Sequence, residues 1–460
     1  ALLTNGTLPA GEIQKVDAQE IIYGFKTIEF TENAKFDVDI SPFSSGTNTI
    51  VVKAEDFQEN PINDLSQIKV KISNPSKNIS PILVPMVSFH DQNTKKPDEF
   101  QGELTFGFSG EWLVEIEAIR TENANESVIL NLLVKPRLTD IQTKIIEYEL
   151  PENAKPLFPL YDGKNSIWLS DALVPRLWEF SIDTQEFSSY SFDGLATTFL
   201  TQDNQGNIWF VDTPRNQIGF INIETKQITT KTIPNLDPTI IENTPMFIQA
   251  DFNDNIWITI FKKDKILKYS PEFDTFEEFT LPDRESFPFA LTIDGNGKIW
   301  YTASNAGKIG FIDPQNNELT QISSETILQS PEALLFDKDG NLWIAEHTGL
   351  AITKFNPVLE TFERISVPDE EALPFGMTFD KYGNIWFAQH TIDSLGVYDP
   401  NNNDLIEFPI PTETSFVQFM TSDANDNVWF VEQQSNKLAT VKITEIPVIA
   451  SQIESSKGIE

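Results

Sequence analysis

Apolar and polar residues alternate along this chain in short runs, and nowhere does the spacing settle into the three-to-four-residue beat of an amphipathic helix. Thr49 to Val52, Ile68 to Ile72, Glu103 to Phe106 and Trp112 to Ile119 read as strands separated by Gly, Pro, Asn and Ser turns. Further on the alternation becomes periodic. Asp203 to Trp209 reads DNQGNIW, and versions of the phrase return at Asp294 to Trp300, Asp337 to Trp343, Asp380 to Trp386 and Asp423 to Trp429, with looser copies ending at Trp168 and Trp257. The seven tryptophans are spaced by 41, 48, 43, 43, 43 and 43 residues, which makes the phrase a structural repeat.

One period holds four short strands. In the copy around Trp386 these are Phe375 to Phe379, Ile385 to Ala388, Ser394 to Tyr398 and Leu405 to Ile410, with a Gly383-Asn384 turn between the first two. Four strands in about 43 residues predict a propeller blade, and seven copies predict a seven-bladed β-propeller over 143–447. The last copy stops after its third strand, while Lys144 to Pro151, ahead of the first copy, matches fourth strands such as Phe276 to Pro282. The early strand is therefore expected to complete the last blade and close the ring, which removes exposed sheet edges. Residues 28–142 read as an immunoglobulin-like β-sandwich, 1–27 as a leader or linker and 448–460 as a polar tail, giving an all-β protein throughout.

Composition narrows the function classes. With 33 Lys+Arg against 69 Asp+Glu the net charge is -36, so a nucleic-acid surface is excluded and cations, basic surfaces or neutral molecules are the expected partners. The absence of cysteine removes disulfides, thiolate metal sites and cysteine nucleophiles. No apolar run of 18 residues predicts a transmembrane helix. A start at Ala1 without methionine suggests a processed product that has lost a signal peptide or anchor, and sequons at Asn5, Asn78 and Asn125 are compatible with glycosylation. These features lead to an extracytoplasmic location, a protein or glycan partner at the cell surface, and membrane association only through residues outside this chain or a membrane partner.

The phrase GNIWF, the third strands Gln217 to Ile221 and Lys308 to Ile312, and the closing E-F-x-I-P resemble the streptogramin B lyase group of propellers, relatives of NHL-repeat and regucalcin-type rings. In the front domain, Ser41-Pro42-Phe43 with Gly46 to Thr49, and Phe108 to Ile116, are similar to the YtkA-like sandwich associated with copper resistance. The lyase resemblance implies a catalytic histidine in a Pro-His step on an innermost strand, with glutamates holding magnesium. Eleven residues before each blade tryptophan, where that histidine would fall, stand Leu157, Thr198, Met246, Phe289, Glu332, Phe375 and Gln418. The enzyme class is thereby disfavoured, since the proton-transfer group is missing.

Three residues after each tryptophan, where the lyase phrase supplies a carboxylate, stand Asp171, Asp212, Ile260, Ala303, Glu346, Gln389 and Glu432. If these converge on the channel mouth, one side is acidic and the other apolar. Asp171, Asp212, Gln389, His390 and Glu432 are the resulting candidate ligand-binding residues. Glu332 and Glu346 share a blade and are the candidate pair for Mg²⁺ or Ca²⁺, or for an acid and base with split pKa values. His347 and His390 hold equivalent positions in adjacent blades, so Glu332, Glu346 and His347 are the candidate catalytic set. His90 is the candidate copper ligand of the front domain. Asp337 to Asn341 resembles a calcium loop, but Leu342 and Thr348 stand where glycine and glutamate are required, so a hairpin turn explains it better. The tryptophans and the 35 phenylalanines are expected to be core. The leading function is an extracytoplasmic recognition or scaffold protein; the alternatives are a divalent-metal-dependent lyase or hydrolase, and a copper-handling accessory protein.

Overall fold

Alternation becomes strand wherever one set of side chains can be buried, and the computed structural model, which describes residues 24–89, 99–151, 154–234, 236, 244–324 and 327–445, is built almost wholly of antiparallel strands. No helix among the described residues is long and apolar enough to cross a membrane. The chain forms two compact units, one running to Phe106 and including Glu111–Leu132, the other made of Gly107–Gly110 and the residues from Leu133 on.

The first unit contains two sheets. One has five strands in the order Phe25–Phe30, Lys35–Ser41, Gly46–Glu55, Glu99–Phe106 and Met86–Phe89; the other has four, Ile79–Val84, Leu65–Asn74, Gly110–Arg120 and Glu126–Val134. Period-two patterning puts Phe36, Val38 and Ile40 on the buried face of one sheet and Ile68, Val70 and Ile72 on that of the other. The expected domain limit at 142 lies too late. Lys135, only 2% exposed, pairs with fully buried Asp399, and Ile141–Glu149 pairs with Lys437–Glu445, so the chain from Lys135 on packs with the second unit. A buried ammonium goes where its counter-charge is.

The second unit is propeller-like, and its described residues form seven four-stranded antiparallel sheets. Its innermost strands are Pro156–Tyr161, Leu200–Gln202, Pro245–Ala250, Pro288–Ile293, Pro331–Phe336, Pro374–Phe379 and Val417–Ser422, and each lies against the next in a closed circle. The sheets are numbered 1 to 7 in that order. In sheet 7 the outermost strand is Ile141–Glu149, so the two ends of the unit are joined by main-chain hydrogen bonds. The second strands, such as Ile256–Ile260 and Ile385–Gln389, are buried at every position, and their tryptophans pack between sheets.

The repeated phrase has a local cause. Six residues before its tryptophan each Asp accepts an indole N–H, at 2.8–3.1 Å, in sheets 2 to 7. The other carboxylate oxygen accepts backbone amides two and four residues on, as Asp251 does from Asn253 and Asn255. Three residues before the tryptophan the backbone is left-handed, which is why Gly206, Gly297, Gly340 and Gly383 stand there, with Asp254 and Asp426 in the other two sheets. Asp337 spends its oxygens on Asp339, Asn341 and Trp343 within this turn, which is its role in place of a calcium loop. Sheet 1 is the exception: Asp162 accepts three backbone amides, and Trp168 Nε1 is buried without a partner.

Candidate functional site

The first strand enters each sheet at the face where the second strand leaves it, because Pro156, Pro245, Pro288, Pro331, Pro374 and Val417 pair with the residue three after the tryptophan. Just before these starts, Thr244, Phe287, Ser330, Leu373 and Phe416 hold left-handed backbone with φ from 32° to 56°. Each is a non-glycine residue in a conformation that is costly unless its surroundings enforce it. These five lie on one end of the ring.

At that end the structure brings together His347, His390, Phe375 and Glu332. The imidazoles lie 5.3 Å apart between ring centroids, Phe375 sits 5.2 Å from one and 5.4 Å from the other, and Phe416 packs edge-on against His390 at 4.1 Å. Glu332 accepts from Ser330 at 2.7 Å and from Ser304 at 3.4 Å. Burial pushes the His347 pKa down against an upward pull from Glu332, and burial with the neighbouring His347 takes His390 down to about 4. Both rings are therefore neutral at pH 7. His347 Nε2 and His390 Nδ1 are buried without a partner, so this corner presents two free imidazole nitrogens beside a carboxylate.

The positions three after the tryptophan are not brought together, and the expectation that they converge on the mouth is corrected. Each is buried inside its own sheet and held there. Asp171 accepts the Trp178 indole at 3.1 Å and the amides of Leu173 and Val174; Asp212 accepts Gln217 at 2.8 Å and the amides of Leu195 and Ala196. Glu346 takes Arg364 at 3.1 Å, the Gln329 amide and the Thr353 hydroxyl. Gln389 donates to Glu407 at 2.6 Å, and Glu432 accepts from Ser435 at 2.7 Å. Glu332 and Glu346 thus do not form a pair: a strand alternates its side chains, and one glutamate turns to the serines at the mouth while the other turns to Arg364. Among the described residues no three His, Cys, Asp or Glu side chains gather as ligands for an ion. His90 and Asn5 lie outside the described residues. Asn78 and Asn125 are exposed.

Sequence reasoning missed the axis. Phe158, Phe247, Phe289, Phe375 and Phe419 from innermost strands and Phe199, just before that of sheet 2, pack against one another with centroids 5.0–5.9 Å apart, sheet 5 alone contributing none. Phe158 of sheet 1 touches Phe247 of sheet 3, and Phe199 of sheet 2 touches Phe289 of sheet 4 and Phe419 of sheet 7, so rings from non-adjacent sheets meet across the axis. The signal is an aromatic ten or eleven residues before six of the seven tryptophans.

The sequence model of the virginiamycin B lyase family matches residues 136–354 and 275–452. No curated protein matches the chain. Among solved structures, a streptogramin B lyase aligns with a TM-score of 0.61 at 21% identity over 66% of this chain and 98% of its own. Virginiamycin B lyase from Staphylococcus aureus aligns with a TM-score of 0.60 at 21% identity over 65% of this chain and 99% of its own. A catalytically inactive histidine-to-alanine form of the same enzyme, solved with quinupristin, gives the same score and identity.

Proposed function

The chain belongs to the virginiamycin B lyase family, and from that premise we propose that it is a recognition member without the lyase reaction: a seven-bladed propeller that binds a partner at the strained, aromatic end of its ring. The observation that carries this reading is the occupancy of the innermost-strand column. Where the resemblance calls for a histidine, all seven positions hold something else, and Phe289 and Phe375 from that column join the phenylalanines that fill the axis. An apolar plug suits a rigid binding platform and removes the wet cleft that a proton-transfer site needs. We further propose that the protein is extracytoplasmic, with the two-sheet N-terminal unit as an immunoglobulin-like, YtkA-like sandwich in a cell-surface assembly. The net charge of -36 favours a basic or neutral partner.

The test is direct. Purified chain incubated with quinupristin and Mg²⁺, followed by mass spectrometry, is expected to leave the cyclic depsipeptide intact; a linearised product sinks the reading. Binding is measured in parallel against peptide and glycan arrays, and a hit that is lost on Glu332→Gln or Phe416→Ala places recognition at this end of the ring.

The free nitrogens of His347 and His390 beside Glu332 favour one second reading, a lyase or hydrolase with relocated acid–base groups, with Mg²⁺ or Ca²⁺ as its metal. It predicts turnover that is abolished by His347→Gln with folding unchanged.

A further inference from the structure

Three neighbouring sheets solve one packing problem with different chemistry. The residue three after the tryptophan meets, across the third strand, a side chain from the fourth. In sheet 5 the two are Glu346 and Arg364, in sheet 6 Gln389 and Glu407, and in sheet 7 Glu432 and Glu147. Their registers correspond: Arg364 stands opposite Thr353, Glu407 opposite Gly396 and Glu147 opposite Ala439, each two residues along from the partner of the buried position. Carboxylate with guanidinium is matched, and amide with carboxylate is matched. Two carboxylates are not.

The surroundings decide which glutamate carries the proton. Glu147 accepts from Lys437 Nζ at 2.7 Å and from the Thr412 hydroxyl at 2.7 Å, and Lys437 donates to Thr412 as well. That is a partly buried carboxylate compensated by an ammonium. Glu432 is fully buried, its Oε2 accepts from Ser435, and its Oε1 is enclosed with no donor. Lys437 also acts on Glu432; Glu149, on the strand of Glu147, acts on Lys437, and the Lys155 ammonium reaches the Gln433 carbonyl.

We propose that the sheet joining the two ends of the propeller is a proton-dependent latch, in which Glu432 keeps its proton, donates it to Glu147, and loosens the closing strands when it ionises. The proton gives Glu432 the donor that Gln389 Nε2 supplies at 2.6 Å to Glu407 next door. Consistent with this, burial first and Glu147 next raise the Glu432 pKa to about 7, while Lys437 and Thr412 hold Glu147 below the usual carboxylate range. The sign follows. A raised folded-state pKa gives stability that is complete below the ordinary value of 4.5 and lost as pH rises through about 7. The lowered Glu147 pKa works the other way at the acid end, so the latch is tightest when the pair holds one proton.

The experiment compares the full chain with Glu432→Gln and, as its reciprocal, Gln389→Glu. Amide hydrogen exchange in 141–149 and 437–445, corrected for the intrinsic rate at each pH, is followed from pH 5.5 to pH 8.5. The native chain is expected to lose at least tenfold in protection of these strands over that range, Glu432→Gln to lose little, and Gln389→Glu to acquire a similar loss in 394–399 and 404–409. Thermal midpoints should follow the same order. Equal pH profiles for the native chain and Glu432→Gln, or no new dependence in Gln389→Glu, overturn the latch.

Discussion

Trp168 and Trp257 form a matched pair for measuring what the recurrent Asp contributes. Both indoles are fully buried, both have a lysine over the ring, Lys226 at 4.8 Å and Lys268 at 5.6 Å, and both pack against an aromatic of their own sheet, Tyr190 at 5.7 Å and Phe279 at 5.3 Å. They differ in one bond. Trp257 donates to Asp251 at 2.9 Å, whereas Trp168 Nε1 has no acceptor. Replacing either by Phe removes the same volume, so the cavity cost, about 1–3 kcal/mol, largely cancels in the comparison. Trp257→Phe also loses a hydrogen bond to a charged group, about 1.5–3 kcal/mol, and leaves one lobe of a buried carboxylate short of a donor. Trp168→Phe loses no bond and removes an orphaned N–H that costs about 1–3 kcal/mol. The two variants should therefore differ by roughly 2.5–6 kcal/mol, with Trp168→Phe the more stable. Guanidinium denaturation followed by far-ultraviolet circular dichroism measures this, with thermal midpoints several degrees apart as a second readout. If Trp168→Phe is as damaging as Trp257→Phe, the clasp is not what stabilises the repeat.

Other outcomes follow from the same geometry. Lys135→Met leaves Asp399 buried and uncompensated and should cost about 3–5 kcal/mol by chemical denaturation, most of it recovered in Lys135→Met/Asp399→Leu. Phe199→Ala removes a ring that touches Phe158, Phe247, Phe289 and Phe419, and should cost about 3–5 kcal/mol with a fall in thermal midpoint. Because the His390 pKa is lowered to about 4, the fold binds this proton less well than the unfolded chain, so stability should fall as pH drops from 6.5 through 4; His390→Phe should flatten that part of the profile in thermal melts. Glu346→Gln should cost stability through Arg364 and leave elemental analysis of the purified protein unchanged, a result opposite to the one expected of a metal ligand.

The propeller class was legible because each repeat carries its own turn chemistry and its own large apolar side chain. An Asp, a left-handed residue and a Trp at fixed offsets define a hairpin without reference to the rest of the chain. The looser copies were harder. Trp168 and Trp257 looked alike in departing from the phrase, yet Asp251 makes the full clasp and Asp162 does not. Two residues before the tryptophan, Asn255 adds its side-chain amide to the Asp251 carboxylate while the Ser166 hydroxyl donates to Glu179, yet sheet 4 makes the clasp with Lys298 at that place, so the residue there does not by itself decide it. At the site, the pairing of His347 with His390 followed from equal offsets in adjacent repeats. The burial of Asp171, Asp212, Glu346, Gln389 and Glu432 did not, because an offset fixes a place in the repeat and leaves open which side chain waits across the sheet.

That last gap explains why this face of the repeat tolerates such different residues. The slot three after the tryptophan is closed to water, so a charge there survives only with a partner, and the partner comes from a strand about 15 to 20 residues later in sheets 5 and 6. In sheet 7 it comes from the opposite end of the unit, since Glu147 and Glu432 meet through the joining strand. Glu147 and Glu432 belong to different repeats, separated in sequence by the whole ring. The closing sheet is thus the place where a mismatch of charge can persist, and where a proton, which needs no codon, can balance it.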